Sequence, residues 1–183
     1  MFRLFAARFL LRYYPLSMPA PNSFDQFLQE FRETIVNATA RLRDLSPDES
    51  SIKPDAESWS RKEILGHLVD SAANNHQRFV LAQFKDDLVF PGYDGDRWVS
   101  VQRYRDESWP DLIQLWSSYN VHLLHVFSVI PQDTLTKSRT EHTLDKIASN
   151  LVPGSEPTTL EYLIRDYVDH LRHHLKQILG ETS

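Results

Sequence analysis

Apolar residues in this chain recur three and four positions apart in four separate stretches, each preceded by a residue able to cap a helix. That spacing lines one face of an α-helix and no face of a strand. Phe24, Phe27, Leu28, Phe31, Ile35, Ala38 and Leu42 form the first stripe behind Ser23, and the turn signal Ser46-Pro47-Asp48 ends it near Leu45. The second begins with a capping box, Ser60 and Glu63, with Trp59 and Ile64 in the positions of a hydrophobic staple, and is predicted to run to about Phe84. Ser108-Trp109-Pro110-Asp111 opens the third, whose stripe is Leu112, Leu115, Trp116, Tyr119, Leu123, Val126 and Ile130, closed by Pro131. Thr158 with Glu161 makes another capping box for the fourth, which ends at Leu179 before Gly180. The expected fold is all-α, an antiparallel four-helix bundle with long connections after helices two and three.

A chain of 183 residues suits one domain, predicted here to span 21–183. Residues 1–20 stand apart as an extension. Phe2, Phe5, Phe9 and Tyr13 share a helical stripe beside Arg3, Arg8 and Arg12, with no acid before Asp25. Three readings stay open for it: a segment upstream of a natural start at Met18, an extra docked helix, or a targeting or membrane-surface peptide. The chain has no cysteine, so disulfides, thiolate metal ligands and a cysteine nucleophile are excluded; that is neutral about compartment, though it suits the cytoplasmic location expected here. Its net charge of −5 and the lack of a basic stripe argue against nucleic acid as a partner. No run approaches the ~18 apolar residues of a membrane span.

The chemistry lies in the histidines. His170 and His174 are one helical turn apart, which puts their Cβ atoms about 5–6 Å from each other on one face. They fall in line with Leu163, Tyr167 and Ile178, so both point inward, whereas His173 falls with Asp166, Asp169 and Lys176 on the polar side. Two inward imidazoles leave polar nitrogens that cost about 1–3 kcal/mol each if unpaired, and a shared metal ion satisfies both. On helix two His67, Ser71, Asn74 and Arg78 make a polar line beside the apolar one, and His67 is the candidate third ligand. His122 and His125 form a weaker second pair, and His76 and His142 read as surface residues. The Glu-x-x-His repeats of di-iron bundles and the H-E-x-x-H motif are absent, so the site is expected to be mononuclear.

Taken in order, Trp59-Ser60-x-x-Glu63-Ile64-x-x-His67-Leu68-x-Asp70-Ser71, Asn74, Arg78, Pro91-x-Tyr93-Asp94 and Tyr167-x-x-His170-x-x-His173-His174-x-x-Gln177-Ile178 resemble the DinB-like superfamily, in particular its YfiT-like branch of metal-dependent hydrolases. The resemblance covers Ser23 to Gly180. It implies a four-helix bundle holding a divalent ion on His67, His170 and His174, and activities that include hydrolysis and thiol-dependent S-transfer. Dimers are common in that family, so a homodimer is expected. Tyr119-Asn120-Val121-His122-Leu123 departs from the His–Arg–Trp type pattern of the branch, which leaves the substrate open.

Three histidines leave a coordination position for water or substrate, as catalytic rather than structural sites do. The expectation is a metal-dependent hydrolase or small-thiol S-transferase acting on a small molecule; the alternatives are a non-catalytic metal- or ligand-binding bundle and a bundle with satisfied core histidines. Zn, Ni or Fe head the candidate ions, and S-transfer would need a low-molecular-weight thiol as cosubstrate. Asp70 is the candidate general base, Asp166 the group expected to orient His170, and Arg78, Tyr93 and Trp98 the expected substrate contacts, with residues 85–107 as a lid. Free imidazoles titrate near 6.5, so metal affinity is expected to fall as pH drops through about 6 to 5.

Overall fold

A computed structural model of the chain describes residues 23–181; the extension at 1–20 and its Met18 lie outside them. The four predicted helices form as α1 (Phe24–Arg43), α3 (Arg61–Leu81), α5 (Trp109–Ser128) and α8 (Leu160–Leu179). Ser23 caps α1 by accepting from the Gln26 amide, and the capping box of α3 closes in both directions between Ser60 and Glu63. Gly180, at φ 69°, ends α8 in the left-handed conformation. The cap of α8 is Thr159 rather than Thr158, because the Thr158 backbone is paired with Arg139 in an isolated antiparallel bridge. Four short helices escape the periodicity argument because they are too brief for a stripe: α2 (Pro47–Ser51), α4 (Gly95–Gln102), α6 (Gln132–Thr136) and α7 (Leu144–Ile147), with a 3-10 turn at Tyr104–Asp106.

The long helices close a ring in the order α1, α5, α3, α8. Trp109 at the start of α5 donates its indole N–H to the carbonyls of Leu42 (3.2 Å) and Leu45 (3.1 Å) at the far end of α1, so these two are antiparallel. His67 and Phe79 of α3 meet His174 and Tyr167 of α8, again antiparallel. α3 and α5 run parallel. Lys62 donates to the Arg105 carbonyl just ahead of α5, and Phe79 meets Phe127 near the other ends. α1 and α8 are parallel too, with Arg165 over the Phe27 ring and Arg41 paired to Glu181. The predicted four-helix bundle therefore forms, but it is not antiparallel throughout as expected: two packed pairs are antiparallel and two are parallel.

This arrangement explains the long connections. After α3 the chain must travel back along a helix of 21 residues, about 30 Å, before α5 can start in the same direction. Residues 82–108 do this, with α4 packed on the outside of α3. Residues 129–159 link α5 to α8 and are laced to the first connection: Leu88 N–H donates to the Glu141 carbonyl and Thr143 N–H to that of Leu88. Between them the helices bury Phe27, Phe31, Ile35, Leu68, Phe79, Leu112, Trp116, Leu123, Phe127, Leu163 and Val168. Each large apolar side chain so buried contributes about 1.5–3 kcal/mol. Leu115 is half exposed, because the third stripe is narrower than its apolar residues suggest.

One glycine marks how closely the first connection lies on α3. A Cβ on Gly66 would fall 2.2 Å from the Cγ and Cδ2 of Tyr104, a buried ring whose hydroxyl is itself held by Asp70. The clash outweighs the ~1 kcal/mol that Ala gains over Gly inside a helix. Gly66→Ala is expected to destabilise the fold by a net ~1–2 kcal/mol in thermal unfolding. Gly154→Ala, with nothing within 4 Å of its added Cβ, should leave Tm unchanged.

Candidate metal centre

Antiparallel packing of α3 on α8 brings the first half of one helix against the second half of the other, and His67 there meets His170 and His174. One ring nitrogen from each of the three lies within 4.8 Å of the others. The Nε2 atoms of His67 and His170 are 3.1 Å apart, and the ring centroids stand at 5.3 Å (His67–His170), 5.0 Å (His67–His174) and 4.5 Å (His170–His174). Two nitrogens bound to one tetrahedral ion at ~2.0–2.1 Å are separated by roughly 3.3 Å, so this spacing matches a shared ligand set. A direct hydrogen bond between two imidazoles would account for one of the contacts and leave the third ring without a reason to be there.

The other ring nitrogens agree. His170 Nδ1 is 3.0 Å from Ser149 Oγ, and His174 Nδ1 is 2.7 Å from Gln177 Oε1. With Nδ1–H donating to these oxygens, the Nε2 lone pairs of both rings are turned to the centre, as oxygen partners behind ligand imidazoles generally fix the tautomer. His67 Nδ1 is buried and has no partner among the described residues. Its ring is held instead by neighbours: Trp59 at 5.0 Å and Tyr93 at 6.4 Å between centroids. An ion drawing on all three Nε2 atoms would offset the cost of this crowded, partly dry cluster. The residues fit a divalent cation, and no carboxylate belongs to the set.

Burial, and after it the neighbouring His174, pushes His67 down to about 4. Burial and the surrounding imidazoles push His170 down to about 3, and burial lowers His174 against the opposing bond from Gln177. All three are neutral at pH 7, the form that binds metal.

The remaining sequence expectations divide. Asp70 is buried, but its Oδ1 accepts from the Tyr104 hydroxyl and from Gln102 Nε2, both at 2.6 Å, and it forms no bond to the histidines. It fastens the α4 segment to α3; burial raises its pKa. Arg78 is also buried and donates to the Pro91 carbonyl (2.7 Å) and Asn75 Oδ1 (3.2 Å), so it holds the loop that carries Tyr93. Tyr93 reaches His67, its phenol pushed up to about 12 by burial and by Asp70. Trp98 packs on Tyr93 with its ring tilted, 5.3 Å between centroids, and is partly exposed to solvent. Asp166 does not touch His170. Its carboxylate accepts from the amides of Ser149 (2.9 Å) and Asn150 (2.7 Å), and this holds Ser149 Oγ against the His170 ring. His173 is exposed, as predicted. His142 is not a plain surface residue: it accepts from the Leu144 amide and its Nε2 sits 2.8 Å from the Glu156 carbonyl.

A cavity of about 490 Å³ opens on His174, lined by Pro54, Glu57, Ser58, Trp59, Ile64, Asp96 and Gln177. None of Asp70, Arg78, Tyr93 or Trp98 is among its walls. Sequence reasoning missed Ser149, which carries no local signal. It also missed Gln177, whose position three after His174 was a usable one. Trp59 and Ile64 were legible only as a staple, yet the same two side chains wall the cavity.

The chain is similar to known proteins both in sequence and in fold. The model of the DinB superfamily matches residues 30–178. A protein of Bacillus mycoides (strain KBAB4) named "Putative metal-dependent hydrolase" is 26% identical over 155 residues, covering 84% of this chain and 82% of its own. One of the same description from Bacillus cereus (strain AH820) is 23% identical over 154 residues, with the same coverage. In three dimensions the chain is similar to YfiT from Bacillus subtilis, described as "a probable metal-dependent hydrolase with an unusual four-helix bundle topology", at a TM-score of 0.71, 16% identity, and coverage of 92% of this chain and 91% of that one. Among the described residues no helix is long and apolar enough to cross a membrane.

Two expectations follow. Ser149→Ala and Asp166→Asn should each weaken metal affinity by ~10–100-fold, the usual cost of losing the group behind a ligand, as read by competition with a chelator. The pH response should sit lower than free imidazoles suggest. Unfolded histidines take up protons near 6.5 whereas the folded ones wait until about 4 and about 3, so the unfolded chain binds more protons across that interval. The contribution to stability is thus complete above ~6.5 and lost as pH falls toward 4. Metal affinity should change little from pH 7.5 to about 5.5 and collapse toward 4; chelator competition and thermal melts across that range would expose an affinity loss centred above pH 6, which would contradict the buried site.

Proposed function

We propose that this chain, which belongs to the DinB superfamily, is a metal-dependent hydrolase of small molecules, with His67, His170 and His174 holding one divalent ion. The observation that carries the reading is the convergence of three neutral imidazoles, two with their Nδ1 atoms tied back to oxygens, beside a cavity open to a small substrate. A divalent ion in such a set supplies Lewis acidity and makes water a competent nucleophile near neutral pH. The protein supplies the rest. Trp59, Ile64 and Pro54 give the cavity an apolar wall for the body of the substrate, and Ser58 and Gln177 give it hydrogen-bonding groups. Its carboxylates are Glu57 and Asp96, so proton acceptance at the reacting centre falls to one of these instead of Asp70. Tyr93 and Trp59 flank the His67 ring and keep water from it.

The test begins with metal content of protein never exposed to a nickel column, followed by a screen of esters, amides, epoxides and thiol conjugates with and without a small thiol. One tightly held equivalent and turnover of a member of the panel are expected, both lost in His170→Ala. Asp96→Asn should lower kcat, whereas Trp59→Ala should raise KM about tenfold, the equivalent of ~1.4 kcal/mol of binding. A metal-loaded protein that turns over none of the panel would remove the hydrolase reading and leave a metal-binding bundle. Activity that appears only with added thiol would replace hydrolysis by S-transfer.

A further inference from the structure

The histidine that pairs with His122 is not its neighbour His125 but His76, on a different helix. His76 lies on α3 and His122 on α5, and the two rings stand 5.0 Å apart at an interplanar angle of 81°. The corresponding values inside the metal centre are 5.0 Å and 75° for His67–His174 and 4.5 Å and 83° for His170–His174. The likeness extends to the anchoring. His76 Nδ1 is 3.3 Å from the Tyr119 hydroxyl, also on α5, as His170 Nδ1 is bonded to Ser149 and His174 Nδ1 to Gln177. Nε2 of His76 is then the nitrogen left to a ligand. His125 is set farther off, 6.5 Å from His122 between centroids.

We propose that His76 and His122 form a second, weaker divalent-cation site that clasps α3 to α5 on the outside of the bundle. Both backbones are fixed by the packing of parallel helices, so binding orders little more than two side chains. His122 is exposed and His76 half-buried, which leaves the remaining coordination positions of the ion to water. Imidazole nitrogens select ions such as Zn, Cu or Ni over Mg or Ca, which take oxygen. Burial and the adjacent His122 lower the pKa of His76, so its ring is available as a neutral ligand at pH 7. This site does not depend on the reading of the first one. It lies on a different pair of helices, and filling it would brace α3, the helix that carries His67, from its far side.

Titration of the metal-stripped full chain with Zn(II) by calorimetry and equilibrium dialysis tests it. Two equivalents are expected, one tight and one weak. His122→Asn, a change on the surface, should abolish the weak equivalent and keep the tight one, with turnover unaltered; His76→Asn should do the same. His174→Ala should weaken the tight equivalent and keep the weak one. A wild-type protein that binds a single equivalent, lost in His174→Ala and kept in His122→Asn, would overturn the proposal. So would a weak equivalent that survives both His122→Asn and His76→Asn. Loss of the only equivalent in His122→Asn would uphold this site and remove the first.

Discussion

The register of α3 against α8 is the constraint on which the rest depends. Two helices crossing in opposite directions bring His67 to His170 with 3.1 Å between nitrogens, and a slide of one residue, about 1.5 Å along the axis, is half that distance. The register is pinned in the core. Tyr167, one turn before His170, is buried against Phe79, and its hydroxyl donates to Asn120 Oδ1 at 2.6 Å. Asn120 is tied in turn by its amide to the Trp116 carbonyl. Fully bonded buried polar groups of this kind specify one arrangement where apolar contacts alone would tolerate several.

The connections that a parallel α3/α5 pair makes necessary also reach the histidine cluster. The first brings Tyr93 against His67 and Asp96 to the cavity beside His174, and is held down by Arg78 at Pro91 and by Asp70 through Gln102 and Tyr104. The second brings Ser149 to His170 and is held down by Asp166. Buried charged groups on α3 and α8 that a reader of the sequence takes for catalysts are thus used to position backbone.

Most of the fold was legible because period and caps are local properties. Ser60 with Glu63, Ser23 with Gln26, and Gly180 after Leu179 are interactions within one turn, and each formed as the spacing indicates. The inward face of α8 likewise places His170 and His174 together without further information. The directions of the helices were not legible, since they depend on which faces pair across the bundle. The roles of Asp70, Arg78 and Asp166 were hidden for the same reason: their partners, Tyr104, Pro91 and Ser149, sit 34, 13 and 17 residues away in chain segments without periodicity.

His67 and His170 are 103 residues apart, and His174 lies in the last helix. During synthesis α1, α3 and α5 emerge, and can begin to collapse, while the partners of His67 are still inside the ribosome. Contacts of such long separation are the slow ones to form, because the intervening chain must first be ordered. The three rings therefore come together only when α8 docks on a partly formed bundle, and any ion they share would find its full ligand set no earlier than that.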